Sequence, residues 1–166
     1  MALQSQVYTD MAPAVPGMPA SVLETHYTAE THITASAVTV GNFVFADATD
    51  PAKVNQAGTG MVRGLVVYTR AYVGNGASLQ LPKGIPVLVA TNGKFWVVAK
   101  NANAKVGDYV FASQTDGSVT TQTANTELTS NTKTNFIVEA VLGTAANSLV
   151  LISNQTSTVV GPTAAA

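Results

Sequence analysis

The stretch Val40-Gly41-Asn42-Phe43-Val44-Phe45-Ala46 returns later in the chain as Val106-Gly107-Asp108-Tyr109-Val110-Phe111-Ala112, with five of seven positions identical. Glycine followed by Asn or Asp turns a chain sharply, because glycine accepts positive φ and the short polar side chain bonds its own backbone. The apolar run after the turn suits a strand whose large side chains reach a core. Each copy is followed by polar turn residues and then a Val-rich segment, 62–67 after the first and 137–142 after the second. Two readings stand. One is duplication, giving a pseudo-symmetric barrel with two related edges; the other is convergence on a common turn-into-strand solution.

Working outward, 32–46 and 61–73 read as strand groups separated by the loop Asp47-Ala48-Thr49-Asp50-Pro51. Between 85–90 and 94–99 lies Asn92-Gly93, the preferred pair of a two-residue hairpin, so these two runs are expected to pair with each other. Residues 106–112 and 119–122 around Asp116-Gly117 predict a second hairpin. Residues 123–134 read as a polar loop, and 136–142 with 148–153 as closing strands. No segment shows apolar residues at helical spacing over helical length. The expected fold is all-β: a compact β-barrel or sandwich of short strands with an internal repeat, plus an extended N-terminal arm. The expected organisation is an arm over 1–23, a barrel-like domain over 24–153 and a flexible tail over 154–166.

Composition agrees. Val and Thr each outnumber Leu about two to one, and β-branched residues fit a pleated, half-buried surface. Charged residues are 10% of the chain, against the roughly 25% usual in soluble domains. The net charge is −1 and the eight Lys and Arg are scattered singly, which argues against phosphate-neutralising contact with nucleic acid. No apolar run approaches a membrane-spanning length, and no charged-then-apolar start suggests a secretory signal. With no cysteine there is neither disulfide nor thiolate chemistry.

The arm carries Pro13, Pro16 and Pro19, which forbid a helix or an inner strand, together with Tyr8, Met11, Val15 and Met18. A purely solvated tail has no need of the latter four. Either the arm lies on a partner's surface or it straps across its own domain.

Few residues suggest chemistry. Glu24, His26, Glu30 and His32 share one face at a period of two, and such a set could bind zinc. Residues 24 and 32 would stand about 26 Å apart on a strand, so a solvated face is the better reading. Asp47 and Asp50 read as loop formers, and Asp108 and Asp116 as turn residues. Gly58-Thr59-Gly60 lacks the Lys-Ser/Thr of a phosphate loop. Arg63 and Arg70 read as surface charge. Trp96, or Tyr68 with Tyr72, offers an aromatic platform for a glycan-binding tail-fibre or receptor module, although in a chain with few aromatics such rings fill a core or an interface. No catalytic, metal-binding or cofactor-binding residue is expected.

The segments APAVPGMPA (12–20), VTVGNFVFADAT (38–49), MVRGLVVYTR (61–70), IPVLVATNGKFWVVAKN (85–101) and VGDYVFASQTDGSV (106–119) follow in an order that resembles the cement, or decoration, proteins of tailed-phage capsids. The resemblance covers 12–154, and the Thr- and Asn-rich stretch 123–134 departs from it. It implies a non-enzymatic virion protein outside the capsid, assembled in the bacterial cytoplasm, that clamps neighbouring major capsid protein subunits as a dimer or trimer. It implies no cofactor, nucleic acid or membrane. The arm residues Tyr8, Met11, Pro13, Val15, Pro16, Met18 and Pro19 are then the candidate capsid contacts.

Overall fold

Runs of β-branched residues bounded by Gly, Pro, Asn or Asp become short strands. The computed structural model describes residues 14–20, 27–69, 79–124 and 129–154, and among them there is no helix. The strands are β1 (Thr28–Thr34), β2 (Val38–Thr39), β3 (Phe43–Ala46), β4 (Lys53–Asn55), β5 (Val62–Val66), β6 (Gln80–Leu81), β7 (Pro86–Asn92), β8 (Lys94–Ala99), β9 (Tyr109–Ser113), β10 (Val119–Gln122), β11 (Asn131–Val141) and β12 (Ser148–Ser153).

They close into two barrels, β1-β4-β3-β5-β7 and β10-β8-β12-β11-β9. The two have one topology. β1 runs parallel to β4 as β8 does to β10, and the remaining neighbours are antiparallel in both. The sequence repeat falls on equivalent strands, β3 and β9, and the turns leading into them are built alike. Gly41 N–H donates to Val66 O (2.9 Å) and Val66 N–H to Asn42 O (2.9 Å); Gly107 N–H donates to Val138 O (2.8 Å) and Val138 N–H to Asp108 O (2.9 Å). Convergence on one turn does not account for five matching strands in matching order, so the repeat is read as duplication.

Burial follows the period of two, with one addition. In β3, Phe43 and Phe45 belong to a cluster that runs through both barrels with Phe95, Val110 and Phe136, whereas Val44 packs with Val54, Val66 and Val89 in the first barrel alone. A strand buried on both faces needs a continuous apolar run, and Phe43-Val44-Phe45 is one.

Two expectations are corrected. Asn92-Gly93 makes no hairpin: β7 pairs with β1 and β5, and β8 with β12 and β10, so the dipeptide is the crossing from one barrel to the other. A type I′ turn requires positive φ at both residues. Here Gly93 has it (+136°) and Asn92 does not, and Gly93 N–H donates to Asn154 Oδ1 instead (2.9 Å). The stretch read as a loop over 123–134 ends in strand, because Asn131, Thr132 and Lys133 pair with Ser113, Ala112 and Phe111 of β9. Thr134 Oγ1 also donates to Val110 O (2.8 Å). Long-range pairing overrides a polar composition when the residues are β-branched threonines.

The one difference in charge between the repeats has a local cause. Asn42 Nδ2 donates to the carbonyl of Asp116 in the other barrel (3.2 Å), so an amide is required there. Asp108 accepts from Lys105 N–H (2.9 Å) and Thr123 Oγ1 (2.7 Å), so a carboxylate suits that position. Asn42→Asp sets a carboxylate against a carbonyl and is expected to cost about 2 kcal/mol, or about 6 °C in melting temperature at pH 7. The cost should vanish below about pH 4, where the protonated acid can donate. Thermal unfolding of Asn42→Asp at both pH values checks this; an unchanged melting temperature at pH 7 would refute the assignment.

Candidate contact surfaces and the inter-barrel junction

The second barrel closes between β8 and β10 through one pair, Ala99 with Val119, which leaves the backbone of β8 at 94–96 for an appended segment. Residues 14–20 form such a segment. Gly17 N–H donates to Trp96 O (2.7 Å), Trp96 N–H to Met18 O (2.9 Å) and Ala20 N–H to Lys94 O (3.0 Å), which lays the segment along β8 of the second barrel. Tyr68 N–H donates to Gly17 O (2.8 Å), which ties it to the first barrel as well. Of the candidate arm residues, Val15, Pro16 and Pro19 are half-buried in this strap and Met18 is 37% exposed. Tyr8, Met11 and Pro13 lie outside the described residues. Gly17 sits where a side chain cannot: at φ +80°, a Cβ would stand 2.8 Å from Val66 O and 2.9 Å from Gly41 N.

The turn between β9 and β10 docks onto the first barrel. Phe43 N–H donates to Gly117 O (2.8 Å), Gly58 N–H to Gln114 O (2.9 Å), and Gln56 Nε2 joins Asn42 Nδ2 on the Asp116 carbonyl. Burial pushes the Asp116 carboxyl up, but the Ser118 hydroxyl and N–H that bond it prevail and hold it below the ordinary carboxylate range. Together, strap and turn lock the barrels into a single unit.

Between β5 and β11 opens a cleft of about 480 Å³ lined from both barrels, with Glu30, Arg63, Lys133, Phe43 and Phe136 in its walls. Lys133 lies 4.5 Å from the centre of the Tyr109 ring. Among the described residues, the large apolar side chains most exposed are Val106 (68%), Met61 (61%) and Leu142 (50%).

His32 is buried, with Nε2 3.3 Å from the exposed Glu30 carboxylate; Glu24 and His26 lie outside the described residues. Among the described residues no group of three or more His, Cys, Asp or Glu could hold a metal ion. The Asp47 carboxylate accepts from the N–H and hydroxyl of Thr49, from Asn55 Nδ2 and from Asp50 N–H, which keep it well below its usual range. Asp50 is lowered by Lys53 (2.9 Å) and by Ala52 N–H. Both acids build their loop. Trp96 is half-buried on the strand that the strap covers, and Tyr68 packs against the first barrel's core. Tyr72 and Arg70 lie outside the described residues. The exposure of Val106 and Leu142 was not legible in sequence, since nothing local distinguishes an exposed valine from a buried one.

Comparison with known proteins supplies a family. The solved capsid of Myoviridae phage XM1 contains a chain of the same fold, with a TM-score of 0.63 at 16% identity over 93% of this chain and 98% of that one. The N base of the head fiber gp8.5 of bacteriophage phi29 aligns with a TM-score of 0.48 at 16% identity, over 77% of this chain and 93% of that one. No curated protein sequence matches. Residues 3–154 match the family described as structural cement protein (E217 gp24/Pam3 gp6). The match spans nearly the whole chain, and the chain belongs to this family of phage structural cement proteins.

Proposed function

We propose that the protein binds the outer surface of an assembled tailed-phage capsid and cements neighbouring major capsid protein subunits, as a dimer or trimer and without enzymatic activity. The match to the cement family over 3–154 carries the reading. The architecture supports it: a clamp must resist deformation, and here two barrels share one core and one strap. A ligand that binds the assembled shell but not the free subunit stabilises the shell by mass action, by about 2.7 kcal/mol per site at a hundredfold excess over Kd. Several sites on one oligomer add avidity.

The reading is tested by mixing the purified chain with undecorated expanded heads. Saturable binding and a rise in the temperature of shell rupture are expected; heads that rupture at the same temperature with saturating protein would exclude it. Deleting residues 1–13 spares the strap and is expected to weaken binding if the N-terminal residues grip the shell. Equal binding by the truncated chain would confine the contact to the barrels and strap.

A further inference from the structure

We propose that the pole of the second barrel around Val106, Gly107 and Leu142 is an open docking site for an extended, uncharged Pro-Gly segment of another capsid chain. The proposal rests on the cement reading and names the chemistry of one of its contacts.

The two repeats meet unequal fates. Gly41 and Gly107 occupy equivalent turns with similar backbone, φ +82° and +90°. A Cβ on Gly41 would stand 2.7 Å from Pro16 Cβ and 2.8 Å from Gly17 N, because the strap lies against that turn. A Cβ on Gly107 would meet nothing within 4 Å among the described residues. The preceding valines tell the same story. Val40 is 2% exposed, packed under Gly17 and bonded through its N–H to Leu79 O (2.9 Å); Val106 is 68% exposed.

The chain order explains the difference. The strap precedes β1 in sequence, whereas the residues preceding β8 are already committed to β7 of the first barrel. The second repeat therefore has no strap leading into it, and none of the other described residues takes that place. The 142–147 connection is also too short to supply the cover that the segment around β6 gives Val38 and Val40. The pole stays ordered without cover, because Asn103 N–H donates to Thr144 O (2.8 Å) and Gly107 N–H to Val138 O (2.8 Å). These two bonds fix residues 103–107 beside the end of β11, and Val106 and the half-exposed Leu142 share that rim.

The occupant of the equivalent site defines what fits. It is Val15-Pro16-Gly17, from a segment without a charged residue, in which the proline presents its ring to the turn and the glycine permits close backbone approach. A capsid chain offering such a segment would fill the second pole as the strap fills the first.

The probe is a capped peptide of the strap sequence APAVPGMPA, titrated into the isotope-labelled full-length chain. Saturable amide shifts at Val106, Gly107 and Leu142 are expected in the millimolar range, and they should be lost in Val106→Asp. That substitution is on the surface and should leave the melting temperature within about 2 °C of wild type. No shifts at about 5 mM peptide, or shifts at Val40 and Gly41 instead, overturn the proposal. On expanded heads, Val106→Asp should bind at least about tenfold more weakly; undiminished binding also overturns it. If the wild-type chain fails to bind heads, the cement reading falls, while the peptide shifts still decide whether the pole is a docking site.

Discussion

Gly117→Ala is expected to lower the melting temperature by about 12 °C, against about 4 °C for Gly84→Ala. Both glycines have positive φ, +64° and +86°, so an alanine at either costs about 1–2 kcal/mol in backbone strain. Their surroundings differ. A Cβ at Gly84 meets nothing within 4 Å, while one at Gly117 would stand 2.1 Å from Phe43 O. That atom is backbone within a core strand and cannot swing aside. The turn would have to lift off the first barrel, weakening the bonds from Phe43 N–H to Gly117 O and from Asn42 Nδ2 to Asp116 O. At about 1 kcal/mol net for each bond, the loss adds to the strain and brings the total to about 4 kcal/mol. Thermal unfolding followed by circular dichroism measures it. Equal shifts for the two alanine variants would show that the inter-barrel turn is not the sensitive element.

Phe95→Ala is expected to cost about 4 kcal/mol, again about 12 °C. The ring is fully buried, 5.7 Å from Tyr27 and 6.5 Å from Phe136 between centroids, both edge-on. It lies in the cluster that both barrels share, so the cavity left behind weakens the joint along with the second barrel. Hydrogen exchange should report this as reduced protection in β3 as well as β8. A loss confined to β8–β12, with the first barrel as protected as before, would mean the barrels fold as separate units. Phe95→Leu retains most of the buried area and should cost less.

Both effects bear on the proposed clamp. If the two barrels part readily, strain applied to one is not transmitted to its neighbour, and shell binding by one barrel no longer restrains the other. Gly117→Ala should therefore weaken protection of heads even at temperatures where it stays folded.

Some of this structure was readable from residues alone, for local reasons. Gly41, Gly107 and Gly117 sit in turns because only glycine takes positive φ without strain, and Asp116 caps its turn through Ser118. Threonine and valine make strands wherever a partner is within reach. The repeat was visible too, since duplicated turns retain their residues. What a strand pairs with is a different matter, because it depends on atoms far away in the chain. Asn92-Gly93 carries a hairpin's residues yet joins two barrels, since β1 and β5 take the two sides of β7 while β12 takes one side of β8 and β10 with the strap the other. The prolines of 14–20 mark an extended segment, but only the Trp96 and Tyr68 bonds make it a strap. The repeat itself states the division most plainly. Val40 and Val106 are the same residue in the same local motif, and the chain determines that each opens a strand-entering turn. Tertiary structure alone decides that one is covered and the other bare, because cover comes from residues elsewhere that happen to pass over one turn and not the other.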